Sequence, residues 1–173
     1  MHGRNMSRWD KDFLFEAKRW SARSKDPSTK CGAAIKRPDN TLASVGYNGL
    51  APGVDDSQIL DRDFKIACVI HAEANAILKA RDPILDGYSL YVWGLPCCGQ
   101  CTAQAISKGI KQIVCVQVQD RPDWEASMRV AKKNADDARI IYEVFRLNEI
   151  DPLLRDAVIP VFEGDLPGGL EWS

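Results

Sequence analysis

Tyr88–Val118, YSLYVWGLPCCGQCTAQAISKGIKQIVCVQV, decides the architecture. YSLYVW is a short apolar, aromatic run ended by Gly94 and Pro96, which reads as a strand. CTAQAISKG follows as a helix closed by Gly109, and KQIVCVQV is a second strand rich in β-branched residues. The same alternation continues downstream, with a helix over PDWEASMRVAKKNADDA, Asp123 near its start, and a strand over RIIYEVF. Upstream, CGAAIKR and TLASVGY read as two strands joined at PDN, a hairpin tip made of turn residues. Ser7–Arg23 is predicted to be a helix: Trp9, Phe13, Ala17 and Trp20 recur every three or four residues, Ser7 can cap it, and Pro27 lies beyond its end. HAEANAILKAR is predicted to be another, with Ala74, Ile77 and Leu78 as its apolar stripe. This order of elements implies a sheet covered by helices on both faces.

Between these elements, 48–70 is a long excursion with about one helical turn near SQILDRDFK, and excursions of this length are usually functional or mobile. At 173 residues, with 45% hydrophobic and 27% charged content, one core is expected rather than two. We read a single domain over 1–173, its body about 7–146, and 147–173 as a C-terminal extension without a clean period. The formal charge of −1 lacks the basic field with which a nucleic-acid binder holds a polyanion, so a small substrate is expected. No apolar run is long enough to span a bilayer, and MHGRNMSRWDKD lacks the apolar centre of a secretory signal, so a soluble, cytoplasmic protein is expected. Reduced thiols follow for the six cysteines. Cys31 and Cys115, set in CGAAI and IVCVQV, are expected in the core.

His71 is the one histidine expected to be held in place, because His2 lies in the terminal stretch. It begins a helix, with Glu73 two residues on. Cys98 and Cys101, at i and i+3, begin a second helix and share a face, and a helix N-terminus lowers thiol pKa toward the thiolate that zinc requires. One imidazole and two thiolates are three ligands, the count of a catalytic zinc site that keeps a position for water. Glu73 can stand beside that water as general acid and base. A bare C-x-x-C also fits a redox pair or half of a structural zinc site. Cys68 and His71, spaced C-x-x-H, could even close such a site with a fourth ligand, although in an extended ACVIH they would point to opposite sides.

HAEANAIL followed by PCCGQC resembles the zinc-dependent cytidine/deoxycytidylate deaminase superfamily, whose general signature is H-x-E and then P-C-x-x-C. SKDPSTKCGAAI, SVGYNG, GVDDS, GYSLYVW and AISKGIKQIV resemble its deoxycytidylate (dCMP) deaminase branch, over roughly Ser7 to Ile141. The resemblance implies a cytidine-deaminase-like three-layer α/β/α sandwich with a mixed sheet of about five strands. It implies Zn2+ on His71, Cys98 and Cys101, with Glu73 shuttling protons as dCMP becomes dUMP and ammonia. It implies Asn48 against the sugar and the Ala72 amide on the base carbonyl. Homo-oligomers, dimers or hexamers, and dCTP or dTTP effectors also belong to relatives of this type. For the phosphate, RSKDPSTK offers Arg23, Lys25 and Lys30, and Arg81 ends its helix; Lys25 is preferred. Trp93 and Trp124 could line the pocket, but large aromatics beside strands are more often core.

One feature departs from the pattern: Pro96 precedes Cys97, whereas C-x-x-C begins at Cys98. Two registers result, and the i, i+3 geometry favours Cys98 with Cys101. Two rival readings stand beside the nucleotide deaminase. One is a deaminase of a base in tRNA or single-stranded DNA, which 23 basic against 24 acidic residues disfavours. The other is a non-catalytic zinc-stabilised module with Cys68 as fourth ligand.

Overall fold

The computed structural model describes residues 6–150 together with Pro152 and Leu154. Five strands, β1 (Gly32–Lys36), β2 (Leu42–Tyr47), β3 (Ser89–Gly94), β4 (Gln112–Gln117) and β5 (Ile141–Arg146), form one sheet in the order β2-β1-β3-β4-β5. β1 runs antiparallel to β2 and β3, whereas β3, β4 and β5 are parallel, so the sheet is mixed. Every residue of β3 is buried, which explains why YSLYVW reads as a continuous apolar run rather than an alternating one.

Alternation within the central strands divides two cores. Ala34, Tyr91, Trp93, Val114 and Val116 face α1 (Arg8–Ser21), which contributes Phe13, Leu14 and Ala17. Ala33, Ile35, Leu90, Val92, Ile113 and Cys115 face the opposite layer, built from α3 (Ala72–Lys79), α4 (Gly99–Lys108) and α5 (Glu125–Asp137). This is the expected three-layer α/β/α arrangement. Ser7 caps α1 as predicted, reinforced by Asp10, whose carboxylate accepts from the Ser7 backbone at 2.9 Å. Ile150 and Leu154 pack onto the α1 core; the rest of the C-terminal extension lies outside the described residues.

Three expectations need correction. The 48–70 excursion holds more than one helical turn: a 3-10 segment, Asp56–Leu60, leads into α2 (Arg62–Cys68), capped by Asp61. In α3 the buried face is Ala72, Glu73, Ala76 and Ile77, while Leu78 is 72% exposed. Apolar spacing misplaced the stripe because this helix turns its carboxylate inward. Cys31 is only partly buried and lines a cavity, unlike the fully buried Cys115.

α3 is clamped against β2. Ser44 Oγ donates to the Ala76 carbonyl at 2.6 Å, Asn75 Nδ2 donates to the Tyr47 carbonyl at 2.8 Å, and Gly46 allows the backbones to meet. A Cβ on Gly46 would lie 2.3 Å from the Ala72 carbonyl oxygen and 2.5 Å from the Ala76 nitrogen. Gly46→Ala is therefore expected to destabilise the fold by about 1–3 kcal/mol, the usual cost of overpacking, and to displace the start of α3. Denaturant midpoint and zinc affinity measured on the same variant check this; an unchanged midpoint would contradict it.

Candidate metal centre and substrate cavity

Two helix starts meet on the α3/α4 side of the sheet. His71 is the N-cap of α3 in an extended backbone conformation, and its side chain makes no capping bond, so the imidazole is left for other partners. Cys98 is the N-cap of α4, where its Sγ accepts from the Cys101 backbone amide at 3.4 Å. Both thiols thereby point at His71: Cys98 Sγ and Cys101 Sγ each lie 3.5 Å from His71 Nδ1. The three donor atoms lie within 4.8 Å of one another.

This donor set fits zinc. A tetrahedral ion with usual Zn–S and Zn–N lengths sets sulfur and nitrogen ligands about 3.6 Å apart, close to both observed separations. The two thiols titrate in opposite directions. The hydrogen bond from Cys101, then that with His71, holds the Cys98 thiol at about 4, against an ordinary 9.0. Cys101 is pushed up by its hydrogen bonds to Cys97 and Cys98. The bond to Cys98 raises the His71 imidazole despite its burial. Such sharing of protons among clustered donors is what a cation replaces on binding, with proton release.

The structure separates the two cysteine registers. Cys97 is fully buried and turned into the core: its Sγ accepts from Thr102 Oγ1 at 3.4 Å, and its backbone N–H points at Cys115 Sγ at 3.4 Å. It stands outside the three-donor group. So does Cys68, which is exposed at the end of α2.

Glu73, the second residue of α3, is 4% exposed and lines the cavity beside His71. Burial pushes its carboxyl above the ordinary range, the direction that suits a group exchanging protons near neutrality. Ala72 is the first residue of α3, so its amide has no acceptor within the helix. Asn48 is in the cavity wall, but Lys25 is not; its ammonium pairs with Asp56 on the exposed surface.

The cavity has a volume of about 740 Å³. Several of its residues escape the motif reading. Arg62 and Lys65 come from α2, and Arg121, Asp123 and Trp124 come from the turn after β4. Arg121 grips Asp123 in a bidentate pair, 2.8 and 2.6 Å, and reaches the Thr29 hydroxyl at 3.4 Å. The Trp124 ring lies 6.0 Å from the His71 ring, and its Nε1–H donates to the Pro96 carbonyl at 2.9 Å. Trp93, by contrast, is core. The short RPDW turn carries a cation, its counter-ion and an aromatic in four residues, the one local signal that could have marked it.

Among the described residues, three donors on two helix starts, a buried carboxylate beside them and a roomy cavity match an open metal site of the catalytic type. The comparisons with known proteins name the family. The model of the cytidine and deoxycytidylate deaminase zinc-binding region matches residues 7–117, and the chain belongs to that family. It is 39% identical over 136 residues to a probable deoxycytidylate deaminase of Caenorhabditis elegans, covering 76% of this chain and 66% of that one. Identity to the human deoxycytidylate deaminase is 34% over 113 residues, 61% of this chain and 63% of the relative. The chain thus spans about two thirds of the length of these relatives. Among solved structures, the dCMP deaminase of cyanophage S-TIM5 in complex with dCMP and dUMP superposes with a TM-score of 0.60. That match has 20% identity and covers 82% of this chain and 99% of the other, a likeness of fold. Among the described residues no helix is long and apolar enough to cross a membrane.

Proposed function

We propose that this protein hydrolytically deaminates a free cytosine deoxynucleotide, converting dCMP and water to dUMP and ammonia. The observation that carries the reading is the convergence of His71 Nδ1, Cys98 Sγ and Cys101 Sγ, with His71 and the buried Glu73 both lining the cavity. His71, Cys98 and Cys101 would hold zinc, which when bound supplies an activated water. Glu73 accepts one proton from the attacking water and delivers it to the pyrimidine ring nitrogen; it then carries the second proton, from the hydroxyl now on the ring carbon, to the departing amine, which leaves as ammonia. Its burial keeps the carboxyl from being a permanently charged bystander and excludes competing solvent. The Ala72 amide, without an acceptor in its helix, is a donor for the base carbonyl, and Asn48 takes the sugar.

Lys25, expected to hold the phosphate, lies outside the cavity wall, and the role passes to the cations on that wall, Arg62 and Arg121. The same reading extends to a cytoplasmic homo-oligomer, dimer or hexamer, with dCTP or dTTP as effectors. Leu60 and Ile66, exposed where they line the cavity, support self-association.

Ammonia release from dCMP, deoxycytidine and a cytosine-containing single-stranded oligonucleotide tests the substrate class. The phosphate contact should favour dCMP over deoxycytidine by at least about tenfold in kcat/KM, the equivalent of one charge-assisted hydrogen bond. Equal rates, or turnover of the oligonucleotide alone, would contradict the proposal.

A further inference from the structure

The hydrogen bonds of Asn48 leave its carboxamide a single opening. Nδ2 has two protons: one goes to the Thr29 carbonyl at 2.9 Å and the other faces Asp26 Oδ2 at 3.4 Å. Oδ1 accepts from the Cys31 backbone amide at 2.8 Å, which uses one of its two acceptor positions. The opposite amide orientation is excluded by its neighbours: it would set oxygen against a carbonyl and a carboxylate, and an NH2 group against an N–H. Only the second acceptor position of Oδ1 remains for a ligand.

Asp26 governs both acceptors that hold Nδ2. It is one of them. It also shapes the turn that presents the other, because its Oδ1 accepts from the backbone N–H groups of Ser28 at 2.8 Å and Thr29 at 3.1 Å. Lys65 Nζ, reaching over from α2, donates to the same Oδ1 at 3.1 Å and to Ser28 Oγ at 2.9 Å. Asp26 is 4% exposed. Burial alone would raise its carboxyl, but the bonds from Ser28, Thr29 and Lys65 prevail and hold it below the ordinary range, so it is a carboxylate at neutral pH.

We infer that Asp26 is a positioning residue that makes Asn48 an acceptor-only contact, so that at this point the cavity selects a ligand group that donates a hydrogen bond. On dCMP, whose deamination this inference takes from the proposed function, that group is the 3′-hydroxyl, the one free hydroxyl of the sugar. A nucleotide with only an acceptor or a hydrogen there is discriminated against.

Asp26→Asn is the informative change. Its remaining oxygen can stay at the Oδ1 position and keep the turn, while its NH2 group replaces Oδ2 and meets the Asn48 NH2 group donor to donor. With zinc-loaded protein, kcat/KM for dCMP over 2′,3′-dideoxycytidine 5′-monophosphate should be about tenfold in the wild type. In Asp26→Asn the preference should fall to about twofold through a higher KM for dCMP alone, with kcat and the KM for the dideoxy nucleotide unchanged. A merely structural role would raise both KM values together and leave the ratio intact, which would overturn the inference.

A second measurement needs neither substrate nor variant. In the 15N-labelled wild-type protein, the Asn48 side-chain amide protons should exchange with solvent at least about tenfold more slowly than those of an exposed asparagine. Exchange as fast as an exposed amide would overturn the positioning role even if dCMP is turned over. Protected protons in a protein that does not deaminate dCMP would support the positioning role and overturn the proposed substrate instead.

Discussion

Glu73→Gln is expected to lower kcat for dCMP by about 10²–10⁴-fold, the range supplied by a general acid/base, while the protein still binds zinc. The expectation rests on placement. Glu73 is in the first turn of α3 and beside His71 in the cavity wall, but outside the three-donor group, so its loss removes a proton carrier and not a ligand. Glutamine keeps the length and the planar end of the side chain and cannot accept the proton. It also replaces a carboxyl already raised by burial, so the change should not weaken the fold. Zinc content and steady-state kinetics on one preparation check this. A variant within tenfold of wild type would refute the role of Glu73, and a non-catalytic zinc module would show no dependence on it.

The second large effect distinguishes the three neighbouring cysteines. Cys98→Ser and Cys101→Ser should each weaken zinc binding by more than about 100-fold, beyond the 10–100-fold typical of losing an outer-shell partner, and turnover should fall with the metal. Cys97→Ser should keep both. Cys97 Sγ is held by Thr102 Oγ1 in the core and bonds to Cys101, and the Cys97 carbonyl accepts from the Tyr142 hydroxyl at 2.7 Å; serine keeps a hydroxyl in place of the thiol, so the change removes no ligand. Burying a serine hydroxyl there costs about 1–3 kcal/mol of stability if it finds no partner. Metal titration of the three purified variants decides the register: zinc loss in Cys97→Ser with retention in Cys98→Ser would reverse it.

Much of this was legible before the structure, for a physical reason. Each strand is a short apolar segment bounded by turn residues, so local sequence and local structure coincide. His71 with Glu73, and Cys98 with Cys101, are likewise local: each pair belongs to one helix start, and helical geometry makes spacing a statement about direction. The rest of the site was not local. Arg62, Lys65, Asp26, Arg121 and Trp124 reach the cavity from three separate loops or helices, and their meeting depends on how the 48–70 excursion folds back. Lys25 shows how narrow the margin is. It adjoins Asp26, whose carboxylate organises the wall, but its own side chain points to Asp56 at the surface. Leu78 failed for the opposite reason, since hydrophobicity alone cannot anticipate that α3 buries Glu73 in place of a leucine.

Hydrolytic deamination of dCMP at this metal centre can be tested directly. Zinc should be stripped with a chelator, returned in substoichiometric steps, and dUMP and ammonia measured at each step. The two products should form in equal amounts, with turnover rising in proportion to zinc and saturating at one ion per chain. One zinc bound per chain with no dUMP formed, or turnover that survives complete removal of the metal, would contradict it.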